Sequence, residues 1–89
     1  MIPADEAVQE AVQGRHRAVQ DVARWFHAGD HLAEPAASVS RLYAALAADV
    51  LALVSVDDPE LTRALSSLLA SRDSAVRAAL VDGEAAGRG

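Results

Sequence analysis

The sequence predicts an all-α fold, a small antiparallel three-helix arrangement that oligomerises. Three observations carry that prediction. Apolar residues recur at spacings of three and four over three long segments, 21 of the 89 residues are Ala, and each of the three Pro residues stands where a helix begins. Strands are expected nowhere.

The first predicted helix runs from about residue 4 to Phe26, with Asp5 and Glu6 favourable against the positive end of its dipole. Val8, Val12, Val19, Val22 and Phe26 form its apolar stripe. Gly14 weakens the middle, and a break there would leave a firm second part from Arg15 to Phe26. His27 to Ala33 reads as a connecting loop. The second helix is predicted over 35–56, opened by Pro35, with Val39, Leu42, Tyr43, Leu46, Val50, Leu53 and Val54 as its stripe. On that pattern it is the core helix, with Leu46 and Val50 buried. Asp57-Asp58-Pro59-Glu60 opens the third helix, with Asp58 as N-cap and Pro59 at the first helical position. It is predicted over 59–81, with Leu61, Leu65, Leu68, Ala75 and Ala79 on one face and Leu69, Val76 and Leu80 widening it to a second. Asp82-Gly83 is expected to end it, giving one domain over 1–83 and a disordered tail over 84–89.

Composition bounds the function. Ala buries little area, so ten Leu, ten Val, one Ile and three aromatics carry most of the hydrophobic driving force. With no Cys there is no disulfide or thiolate metal site to supplement that thin core, which makes a homo-oligomer the expected state. A net charge of −5 argues against a duplex nucleic-acid partner. All eight basic residues are Arg, a composition that a GC-rich genome also produces but that suits bidentate phosphate contacts. The N-terminus lacks the basic and apolar regions of a signal peptide, and the apolar stretch from Ala44 to Val56 is short and interrupted by Asp49. A soluble, cytoplasmic protein with no membrane partner is expected.

No nucleophile motif surrounds any Ser or Thr, so an enzyme is not expected, nor is any cofactor. His27, Asp30 and His31 match no firm metal spacing and read as a surface loop, so no metal site is expected. Trp25-Phe26 is the more informative pair. Adjacent residues of a helix diverge by about 100°, so one of the two remains available when the other packs. Trp25 either caps the open end of the bundle or offers a base-stacking surface, with Arg24 or Arg41 holding a phosphate beside it.

Several short segments carry a family resemblance: Ala23-Arg24-Trp25-Phe26 leading to Asp30-His31-Leu32, Val39-Ser40-Arg41, Asp58-Pro59-Glu60-Leu61-Thr62-Arg63-Ala64-Leu65, and Arg72-Asp73-Ser74-Ala75-Val76-Arg77-Ala78. Over residues 23 to 80 the chain resembles the anti-CBASS cyclic-nucleotide sponges of phages, here of the actinobacterial-phage kind. The resemblance implies a homo-oligomer, hexameric in form, in the host-cell cytoplasm, that sequesters a cyclic di- or trinucleotide without cleaving it. It implies stacking by Phe26, with Trp25 as the alternative, and a phosphate contact by Arg41; Arg24 and His31 complete the candidate set. Ser66-Ser67 stands where relatives often carry a basic pair, which bears on the trinucleotide site. Ala28-Gly29 stands where a tyrosine commonly precedes Asp-His-Leu, which bears on stacking. The alternative expectation is a helical protein-interaction module with no nucleotide ligand, using the second apolar face of the third helix.

Overall fold

The computed structural model describes residues 4–27 and 31–88, and their regular structure is entirely helical. The elements are α1 (Ala4–Ala11), α2 (Arg17–Ala23), α3 (Ala36–Leu53) and α4 (Pro59–Arg88). Ala28, Gly29 and Asp30, the middle of the expected loop and part of the resemblance, lie outside the described residues, as do residues 1–3 and 89.

The single helix expected over 4–26 is two helices. Gly14 adopts φ +76, a left-handed conformation that side-chain-bearing residues disfavour, and the chain turns there. His16 then caps α2, its Nδ1 accepting the Ala18 N–H at 3.0 Å. Both halves keep the predicted stripe: Val8, Val19 and Phe26 are buried, and Val12 and Val22 pack against them.

α3 lies between α1 and α4, while α2 packs on α4. Its buried side differs from the one its Leu and Val spacing predicts. Ala36, Ala37, Ser40, Ala44, Ala47 and Leu51 face inward, whereas Leu42, Leu46 and Leu53 are 69%, 48% and 85% exposed. Leu46 is therefore not a core residue, and Val50 is only partly buried. The physical reason is close approach: a helix gripped on two sides packs nearer to its neighbours through Ala than through Leu, and interaxial distance follows the side chains at the contact. The helix as a whole has 18 residues at mean hydropathy 1.4, with 39% of them buried, so its apolar residues are divided between an inward Ala side and an outward Leu side.

Two clamps fix the ends. Arg15 donates from Nη2 to the Val54 carbonyl at 2.7 Å and from Nη1 to that of Leu51 at 3.4 Å, placing a cation on the negative end of α3. Its Nε lies 2.7 Å from Asp57 Oδ1 without aligned hydrogen-bond geometry, so that contact is one of charge. The other Asp57 oxygen accepts the His16 N–H at 2.6 Å, tying the α1–α2 turn to the α3–α4 turn. Asp58 caps α4 as its sequence predicts, accepting the Glu60 N–H at 2.8 Å.

α4 does not stop at Val81. It continues through Gly83 to Arg88, where a disordered tail is expected from the sequence, and has 30 residues in all. Gly83 is a packing residue here rather than a terminator. A Cβ on it would sit 3.3 Å from both the Glu34 carbonyl oxygen and Pro35 Cδ, so the absent side chain lets α4 pass close to the start of α3.

Candidate functional site

The chain leaving α2 divides its two aromatic residues. Phe26 is buried, 1% exposed, and the Arg72 guanidinium lies 5.9 Å from its ring centroid. A ring enclosed in this way offers no face to a ligand, which counts against the stacking role expected of Phe26. Trp25 is 51% exposed, with the Arg24 guanidinium 5.0 Å from its ring centroid.

Arg72 organises this end of the bundle. One Nη1 hydrogen goes to the Trp25 carbonyl, while Nε and Nη2 donate to Asp73 Oδ1 at 3.2 and 2.8 Å. Its side chain is only 11% exposed, so its charge is held in place by contacts from two directions. Ser40, buried on α3, donates to the His27 carbonyl at 2.9 Å and pins the same connection from the other side. Between these anchors lies a cavity of about 220 Å³ lined by His27, His31, Ser40, Arg72 and Arg77 among others. The two imidazole rings have centroids 6.1 Å apart, and Arg77 reaches Ser74 Oγ at 3.3 Å. Two guanidinium groups and two imidazoles against the single Asp73 carboxylate make a lining suited to an anion.

Of the residues predicted from sequence, His31 lines this cavity; Trp25 is not among the lining residues and is linked to it only by its backbone carbonyl, which accepts from Arg72. Arg24 lies over Trp25 and borders a different cavity between α1 and α2. That cavity is larger, about 420 Å³, but Gln9, Gln13 and Gln20 give it a largely neutral amide lining with Asp21 opposing Arg24, a weaker setting for a phosphate. Arg41 is not among the residues that line the His31 cavity. Its Nη2 donates to Glu34 Oε1 at 2.8 Å and to Ser38 Oγ at 3.0 Å on the outer side of α3. Hydrogen bonds from Ser38 and then from Arg41 hold the Glu34 carboxyl below its ordinary range, and the same carboxylate accepts the Ser38 N–H at the start of α3.

Sequence reasoning missed Arg72, Arg77 and Ser40. Arg72 and Arg77 fall within a segment quoted for the resemblance, but nothing local in the sequence joins Arg72 to Trp25, 47 positions away. No group of three His, Asp or Glu side chains placed to hold a metal occurs among the described residues. No family model matches the chain, and no curated protein or solved structure does either.

Proposed function

We propose that the protein is a phage-encoded sponge that binds and sequesters a cyclic oligonucleotide signal of host antiphage immunity without cleaving it. The observation that carries this reading is the cavity lined by Arg72, Arg77, His27 and His31, with Arg72 also bonded to the backbone carbonyl of the exposed Trp25. In that arrangement the guanidinium groups hold phosphate oxygens, and the indole stacks on a base, contributing about 1–3 kcal/mol. Arg72 has spent three of its N–H donors on protein groups, and a guanidinium carries five, so donors remain for a ligand. The resemblance supplies the cyclic oligonucleotide as the ligand class. The Ser40 hydroxyl that lines the cavity donates to the His27 carbonyl at 2.9 Å rather than to an imidazole, an arrangement that anchors the chain and does not activate a nucleophile.

At about 220 Å³ the cavity is smaller than the ~300–1,000 Å³ usual for small-molecule sites, which supports a site that a second copy completes. The test is calorimetry with a panel of cyclic di- and trinucleotides, followed by chromatography of the released ligand. Binding of at least one member, with the ligand recovered intact and affinity reduced by Arg77→Ala and Trp25→Ala, is expected. Absence of heat with every member, or consumption of the nucleotide, contradicts the reading.

A second reading, a helical interaction module, is favoured by the outward Leu residues of α3. On α4, where the sequence places the second apolar face, Leu80 is 40% exposed while Leu69 and Val76 are half-buried. The same calorimetry separates the two, since an interaction module binds no nucleotide.

A further inference from the structure

The outward side of α3 has a charge pattern that is complementary to itself. Arg41, Ala45 and Asp49 stand four residues apart and form one ridge, and Leu42 and Leu46 form the ridge beside it. All five are exposed, and the Asp49 carboxylate has no ion pair or hydrogen bond among the described residues. Leu53 continues the apolar surface toward the end of the helix, and a hollow of about 210 Å³ lined by Leu42, Tyr43, Leu46, Leu68 and Ser71 opens next to it.

We propose that this face binds a second copy of the chain, α3 against α3 in antiparallel orientation, with Ala45 at the crossing. Four-residue ridges that interdigitate give the commonest helix crossing, and a small residue at the crossing point lets the two axes approach. Reversing the direction about Ala45 sets Arg41 of each copy level with Asp49 of the other, so each copy forms the same opposite-charge pair. Arg41 is steadied for that contact by Glu34, 2.8 Å away. Leu42 and Leu46 of each copy then leave water together, with the hollow beside Tyr43 able to receive an apolar side chain. A lipid surface would set the unpaired Asp49 carboxylate against anionic phosphate groups, which disfavours it as the occupant. This inference stands independently of any nucleotide ligand.

The chain contains no Cys, so one introduced thiol reports the contact without background. Ala45→Cys is expected to cross-link to itself under mild oxidation, since only residues near the two-fold come within disulfide range, while Ala52→Cys, exposed on the same helix, is not. Sedimentation of the reduced, full-length protein is the companion measurement. The parent is expected above the 9.3 kDa monomer mass at tens of micromolar, with Leu46→Asp monomeric. Arg41→Asp and Asp49→Arg singly are expected to weaken association about tenfold or more, and the double exchange to recover most of it. Circular dichroism confirms that each variant remains helical. A monomeric parent, equal cross-linking at positions 45 and 52, or a double exchange no better than the single changes overturns the proposal. So does a parent that stays monomeric yet partitions into phosphatidylcholine vesicles.

Discussion

Trp25 and Phe26 are neighbours with opposite duties, and their substitutions separate stability from binding. Phe26→Ala removes a buried ring that also lies under Arg72, so it should cost about 3–5 kcal/mol by chemical denaturation. Trp25→Ala should cost far less in stability while weakening nucleotide binding by about 1–3 kcal/mol in calorimetry. Equal loss of stability in both variants would show that Trp25 is a packing residue. At Glu34 the expectation concerns acid. Its folded-state pKa lies below the ordinary 4.5, so its contribution is fully present above that pH and fades as pH falls through the lowered value. Acid titration of Glu34→Gln should lack that part of the dependence, with the melting curves of parent and variant converging at low pH.

Two glycines shape the helices by different means: Gly14 turns the chain between α1 and α2, and Gly83 lets α4 pass close to the start of α3. Gly14→Ala should destabilise by about 1–2 kcal/mol because φ is +76 there, and a shift in denaturation midpoint measures it. Gly83→Ala replaces a poor helix former with a good one, a gain of about 1 kcal/mol on an open helix surface. Here the new Cβ meets a backbone oxygen and a Pro ring at 3.3 Å, so that gain should be absent and the melting temperature should not rise. The helices themselves were legible in the sequence, because the α4 spacing of Leu61, Leu65 and Ala79 and the Asp58 cap are local signals. The orientation of α3 was not. A hydrophobic pattern gives Leu42, Leu46 and Leu53 more weight than Ala44 and Ala47, while the packing of α1 and α4 around α3 rewards close approach over area. The end of α4 was misread because Gly83 carries the same local signal whether it ends a helix or admits a neighbour.

Over the whole molecule, the anionic character of the chain and the local character of the cavity point in different directions. A net charge of −5 keeps duplex phosphates away, whereas Arg72, Arg77, His27 and His31 collect cationic capacity at one end of the bundle. Part of that site could be read from the sequence: one of Trp25 and Phe26 is expected to stay available, although both lie beyond the end of α2 at Ala23, and His31 is among the candidates. Arg72 could not be, since its bond to the Trp25 carbonyl exists only once α4 lies across the α2–α3 connection. The decisive measurement is a calorimetric titration of the parent and of Arg77→Ala with the tightest-binding member of a cyclic di- and trinucleotide panel. Saturable binding by the parent, weakened about 10- to 100-fold in a variant of unchanged helix content, is the predicted result. Identical affinities for the two proteins, or no binding by the parent to any member of the panel, would contradict the assignment of this cavity as a cyclic-nucleotide site.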